Sequence, residues 1–180
     1  MSKSLGNVIW LKDIIEEYPP EAFRLAILAN HYRQTINYQD DMMKQMTNEW
    51  QKMEKMYVTF ARKLELASEK VKGEPLPIMD QFLNEMAYDL NTANALSVLY
   101  THMKQMNKDI RDKAATLKTI ADDFKTYQDM LYIFGLEVDL KPLTEDEKTL
   151  VNAWNEARSN KDFAKADEYR AKINELGIRL

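Results

Sequence analysis

Residues 40–67 read DDMMKQMTNEWQKMEKMYVTFARKLELA, and within them Met42, Met46, Trp50, Met53, Tyr57, Phe60, Leu64 and Ala67 recur at steps of four and three. That period puts all eight on one face of an α-helix, and so long an apolar face must be buried against other helices. Asp40 or Asp41 can cap its start, because a short carboxylate accepts from the free amides of a first turn. Gly73-Glu74-Pro75-Leu76-Pro77 ends it with residues that cannot continue a helix and reads as a linker able to bend. The methionines of the stripe are read as adaptable core filling rather than as a binding groove.

Three more stripes follow. Met79, Phe82, Leu83 and Met86 form a short one, ending at the Asp89-Leu90-Asn91-Thr92 break, where Thr92 can cap the next helix. Leu96, Leu99, Met103, Met106 and Ile110 hold the third. Leu117, Ile120, Phe124, Tyr127, Leu131 and Phe134 hold the fourth, with Gly135 suited to a left-handed C-terminal position. Four amphipathic helices joined by short breaks predict an antiparallel four-helix bundle over residues 41–140.

On either side of the bundle lie smaller pieces. Upstream, Val8-Ile9-Trp10 precedes a helical turn over Lys12–Glu17, which Tyr18-Pro19-Pro20 stops. Pro20 can open a helix over Glu21–Asn30 with Ala22, Leu25, Ala26 and Ala29 on one face, and Ile36-Asn37-Tyr38 reads as a short extended piece. Residues 1–40 are therefore expected to form a small α/β module. Downstream, Thr144-Glu145-Asp146-Glu147 is a capping-box pattern that opens a helical hairpin over residues 141–180. Leu150, Val151, Trp154 and Ala157 are expected inside its first arm; Phe163, Ala166, Tyr169, Ile173 and Leu176 are expected inside its second, which Gly177 ends. The fold class is mainly α.

Composition narrows the function. The 180 residues include no cysteine, which removes disulfides, thiolate metal ligands and a thiol nucleophile and suits a reducing cytoplasm. No apolar run approaches the roughly 18 residues that span a bilayer, and no secretory signal is apparent, so no membrane partner is expected. The net charge of −4 argues against indiscriminate attraction to nucleic acid, DNA included, so an RNA partner would need a local patch. Residues 73–140 are the acidic part, with 6 Lys and Arg against 11 Asp and Glu.

The best local patch is Arg158, Lys161, Lys165, Arg170 and Lys172 on the hairpin, five cations that can line one exposed edge. The alternative is an ordinary solvated face with acidic partners, and the residues alone leave both open. Trp154, Phe163 and Tyr169 fall on the apolar stripe and read as core. Of the two histidines, His31 reads as packed at a module junction, with RNA contact the alternative, and His102 as a solvated helix residue. Arg24 and Arg33 can bridge modules or touch phosphate. Asp89 and Asn91 read as helix-cap residues rather than catalytic ones.

Several segments carry a family resemblance. Met1-Ser2-Lys3-Ser4-Leu5-Gly6-Asn7 resembles the Lys-Met-Ser-Lys-Ser loop of class I aminoacyl-tRNA synthetases without its leading lysine. His31-Tyr32-Arg33 followed by Ile36-Asn37-Tyr38 is similar to the cysteinyl branch specifically. Asp89 to Leu96 resembles that branch's Asp-Phe-Asn-Thr-Pro-x-Ala-Leu segment, departing at Leu90 and Ala93, and Ala157 to Arg170 with Leu176-Gly177-Ile178 is a further long match. The resemblance runs along the whole chain.

What the resemblance implies can be stated by residue. Met1, Ser2, Lys3 and Ser4 would belong to the loop that closes over ATP, with Lys3 neutralising charge that develops on pyrophosphate. The bundle would be of the class I anticodon-binding type, the first module would contact the stem of a cysteine tRNA, and Arg33, Arg158, Lys161, Lys165, Arg170 and Lys172 would be candidate tRNA contacts. The nucleotide-binding fold and the zinc site that selects cysteine would lie before Met1. A piece of this extent is expected to bind tRNA without catalysing aminoacylation, with no catalytic residue and no zinc ligand of its own. The oligomeric state is open, with a monomer the default. The alternative is a free-standing helical bundle that docks another protein.

Overall fold

The computed structural model describes residues 10–180, which form eight helices and no strand. These are α1 (Leu11–Glu17), α2 (Pro20–Leu28), α3 (Asp40–Glu65), α4 (Ile78–Ala87), α5 (Thr92–Asp109), α6 (Leu117–Phe134), α7 (Glu145–Ser159) and α8 (Phe163–Glu175). The mainly α bundle expected from the stripes is what forms. The extended piece at Ile36–Tyr38 is non-helical, but it pairs with no strand among the described residues, so no sheet forms there. A strand needs a neighbouring edge to exchange backbone hydrogen bonds, and Tyr38 instead packs its ring against the helical core. The Val8-Ile9 part of the first run lies outside the described residues.

Helix α6 is the centre of the bundle. It packs against α3 on one side and α5 on the other, and α4 rests on α5 and reaches α6. Because it has neighbours on several sides, α6 buries more than its expected stripe: Ala121, Asp123, Thr126 and Met130 are inside as well as Ile120, Phe124, Tyr127, Leu131 and Phe134. Tyr127 is fully buried and donates its hydroxyl to the Met53 carbonyl of α3 at 3.0 Å, tying the two longest stripes together. Phe124 lies edge-on to Tyr57, with centroids 4.9 Å apart. Helix α2 packs along α3 and touches α5, so Ala22, Leu25 and Ala26 belong to the same core as the bundle.

The linker over residues 73–77 is pinned rather than free to bend. Glu74 N–H donates to Asp122 at 2.6 Å, and Leu76 N–H donates to the Thr126 hydroxyl at 2.8 Å. Gly73 is there because the chain passes so close to α6 that a Cβ would stand 2.1 Å from the Ala121 carbonyl oxygen.

Caps follow the sequence with small shifts. Gly135 takes the left-handed conformation at φ 65° after α6, as expected. Thr144 and Glu147 form the full capping box of α7. Asp40 and Asp41 sit inside the first turn of α3, not ahead of it, where their charge favours the positive end of the helix dipole. Asn91, not Thr92, caps α5, accepting from Asn94 N–H at 3.3 Å.

Helices α7 and α8 pair as the hairpin around a second, smaller core of Leu143, Val151 and Ile173, joined by Leu66 at the end of α3. Phe163 and Leu176, expected inside, are 68% and 59% exposed. Phe163 opens α8 directly after its Asp162 cap, at the tip of the hairpin.

Candidate nucleic-acid interface

The expected hairpin cations are divided by the fold. Arg158 leaves α7 beside Trp154 four residues earlier, and its guanidinium stacks over the indole at 4.6 Å. Phe163 and Arg170 come from α8 to the same place, and with Trp154 and Arg158 they line a shallow open cleft of about 730 Å³. Lys161 sits in the turn between the arms at φ 59°, and Lys172 lies in the last turn of α8; neither lines the cleft. Lys165 pairs with Asp162 at 3.2 Å, which raises the lysine above its ordinary pKa. The Lys165 backbone N–H, together with that lysine side chain, holds Asp162 below the usual carboxylate range.

Physically, the cleft offers two guanidiniums against the one carboxylate of Asp167, one apolar ring exposed to solvent and one indole already covered by arginine. A flat π-system can stack on Phe163, and both guanidiniums can donate to phosphate or base edges. Phe163, read from its spacing as core, is therefore one of the residues that sequence reasoning misplaced. Its position directly behind the Asp162 cap was the available signal, since the first residue of a hairpin's second arm faces outward as readily as inward.

The hairpin is held on the bundle by a polar joint. Arg62 is 6% exposed, although it lies on the long α3; its guanidinium donates to Glu65 at 2.6 Å and to the Arg179 carbonyl at 3.0 Å. Glu65 also accepts from Leu143 N–H at 2.6 Å, so one carboxylate holds both the incoming linker and the arginine. Arg179 returns to Glu54 and to the Asp139 carbonyl. Val58, Arg62 and Leu66 recur at steps of four, a second stripe on α3 that the dominant apolar face conceals.

Arg33 stands in a different cluster. His31, Tyr32 and Arg33 gather around Asp89: Tyr32 donates to Asp89 at 2.7 Å, Arg33 donates to the Tyr32 hydroxyl at 2.9 Å, and His31 lies 3.7 Å from the second carboxylate oxygen. The Tyr32 hydrogen bond, aided by Arg33 and His31, lowers the Asp89 pKa. The cluster joins the segment after α2 to the α4–α5 break, where Asp89 and Leu90 adopt φ of 52° and 51°. Arg24, the other open case, lies against the α6 terminus, with its guanidinium beside Gly135.

His102, expected in solvent, is 1% exposed, and its Nε2 donates to the Asp123 carbonyl at 2.9 Å. Burial depresses its pKa, so it sits in the core as a neutral ring. Ala95, Leu99, His102 and Met106 share one helical face, which was a legible sign of burial. Among the described residues no group of three His, Cys, Asp or Glu is placed to hold a metal ion. With no cysteine in the chain and His102 committed to a backbone carbonyl, the residues present do not fit a zinc site. Met1, Ser2, Lys3 and Ser4, the loop residues implied to meet ATP, lie outside the described residues.

Comparison with known proteins agrees with this architecture. Residues 1–48 match the family described as the tRNA synthetases class I (C) catalytic domain, and residues 81–136 match the DALR domain. The opening stretch is thus similar to part of a class I aminoacyl-tRNA synthetase. Over its whole length the chain is 31% identical to the cysteine-tRNA ligase of Bacillus pumilus, 31% to that of Geobacillus thermodenitrificans and 33% to that of Staphylococcus aureus. The chain is thus similar over its whole length to cysteine-tRNA ligases, and it spans 40% to 41% of the length of these relatives.

Proposed function

We propose that this chain is the tRNA-binding C-terminal region of a cysteine-tRNA ligase and that its RNA partner is a cysteine tRNA. The observation that carries the reading is the hairpin cleft, in which Arg158 and Arg170 flank the exposed Phe163 ring on a bundle of the DALR type. Arg158 and Arg170 contact RNA there, Lys161 adds charge in the turn between the arms and Lys165 and Lys172 along the second, and Arg33 contributes from the stem-side module. The modules at residues 1–40, 41–140 and 141–180 divide the work along the RNA, while the first two share one hydrophobic core.

The whole ligase would join cysteine to its tRNA with ATP, and Lys3 and its neighbours would close over that nucleotide. The zinc that selects cysteine would be held by residues outside this chain. We assign no step of that chemistry to the described residues. Their part is to hold and orient the RNA, which they do from a rigid scaffold, because the Arg62–Glu65 joint fixes the hairpin to α3.

The test is a titration of fluorescently labelled cysteine tRNA and an unrelated tRNA into the 180-residue chain at several salt concentrations. Saturable binding that favours the cysteine tRNA and weakens steeply with salt is the expected result. Equal, weak binding of both RNAs would remove the assignment of partner.

A further inference from the structure

The bundle has an open side. Helices α3 and α5 both pack on α6 with their backbones held apart, Tyr100 of α5 reaching Glu49 of α3 across the space, and α2 closes only one end of it. Past Ala29, at the end of α2, a groove of about 830 Å³ continues along α3 from Gln45 to Phe60 and along α5 from Leu96 to Arg111 just beyond its last turn. Its floor is apolar, made of half-buried Met46 and Tyr100 and of Met56, Phe60, Leu96 and Met103, each exposed by 8% or less. Its rim is basic, with Lys52 and Lys55 on the α3 side and Lys104 and Arg111 on the α5 side, against the single carboxylate of Glu49. Glu49 is already paired with Lys52 at 2.7 Å, whereas Lys55, Lys104 and Arg111 make no ion pair among the described residues.

We propose that this groove docks an acidic amphipathic helix of a partner protein. The fold itself displays the mode of binding, since α2 enters the neighbouring part of the same space with Ala22, Leu25 and Ala26, small and medium apolar residues at helical spacing. An occupant of the open part would repeat that stripe over about 14 residues, because the groove runs for about 20 Å of helix axis at 1.5 Å per residue. Glutamates and aspartates on its flanks would meet the three uncommitted cations of the rim. The flexible thioethers of Met46, Met56 and Met103 suit a floor that adapts to the side chains it receives. A nucleic acid would satisfy the cations but leave the methionine floor unused, so the combination favours a helix. This surface lies on the bundle, apart from the hairpin cleft of the proposed RNA site, and each can be tested without the other.

The probe is a fluorescein-labelled 18-residue peptide with Leu and Ala at i, i+3, i+4 and i+7 positions and Glu on its flanks, titrated into the 180-residue chain. Saturable binding is expected, with amide-exchange protection gained in residues 45–59 and 96–111. The same stripe flanked by Lys should bind about tenfold more weakly, and the double variant Lys55→Glu, Lys104→Glu should weaken the Glu-flanked peptide by about as much. All four rim cations are exposed, so the variant keeps the fold, which circular dichroism verifies; Lys55→Gln, Lys104→Gln should give an intermediate loss. Absence of binding, equal binding of Glu- and Lys-flanked peptides, or protection elsewhere in the chain overturns the proposal. So does displacement of the peptide by single-stranded polyuridylate at equal affinity, which would give the groove to nucleic acid.

Discussion

The Tyr32 hydroxyl donates to the Asp89 carboxylate at 2.7 Å across 57 residues of sequence, and this bond links the segment after α2 to the break between α4 and α5. Asp89 holds a left-handed backbone at φ 52°, which Asp tolerates better than most residues. Asp89→Ala is expected to lower stability modestly, because it removes a solvent-screened charge-assisted bond and leaves Ala in that backbone. Asp89→Asn, which keeps an acceptor and the backbone preference, should cost less. Urea unfolding of both variants checks the order.

Arg62 and Glu65 make the joint between hairpin and bundle. Arg62→Ala should destabilise by about 2 kcal/mol or more, because it strands a carboxylate that sits among buried groups and leaves the Arg179 carbonyl unpaired. The loss should concentrate in residues 141–180. Hydrogen exchange should show the hairpin amides opening well before those of α6, and an even loss over the chain would count against the joint.

Gly73 allows the linker to cross α6 at close range. Gly73→Ala should cost about 1–3 kcal/mol, because the new methyl meets backbone at Ala121 that cannot swing aside. Thermal unfolding measures it directly, and a neutral outcome would show that the linker can lift away.

Asp123 is 1% exposed, and its Oδ2 has no hydrogen-bond partner. Burial, with the charge of Asp109 nearby, pushes its carboxyl up to about 7. An unfolded aspartate titrates near 3.9, so between about pH 4 and pH 7 the unfolded chain has released a proton that the folded chain retains. Stability attributable to this group is therefore present at low pH and lost as pH rises through that window. Asp123→Asn should remove the slope, so the variant gains on the parent as pH rises from 4 to 7 and by a constant amount above. Urea midpoints across that range are the check.

In the hairpin, charge and stacking can be separated. Arg158→Ala and Arg170→Ala should each weaken tRNA binding and make the salt dependence shallower, by about 0.7–0.9 in log–log slope for each phosphate that is no longer neutralised. Phe163→Ser should weaken binding by about 1 kcal/mol with the slope unchanged, because stacking releases no counterions. Affinity measured against salt for the three variants tells the roles apart, and an unchanged affinity for Phe163→Ser would take the ring out of the interface.

Much of this protein is determined locally. The stripe from Met42 to Leu64, the capping box at Thr144 and the left-handed Gly135 could be read in order, because a helix and its ends depend on residues three and four apart. The family likeness of His31-Tyr32-Arg33 and of Ala157 to Arg170 was legible for the same reason: it lies in short runs. Partners far apart in sequence were decided only by the tertiary structure. His102 is buried because α6 lies across α5, Gly73 is needed because the linker passes α6, and Arg62 is a joint because the chain end returns to α3. Phe163 is exposed although its spacing matches the core, since nothing among the described residues packs over the hairpin tip. The groove between α3 and α5 exists because α2 is too short to fill it. Each of these depends on which surfaces meet, and helical periodicity specifies the face that a helix presents without specifying what will cover it.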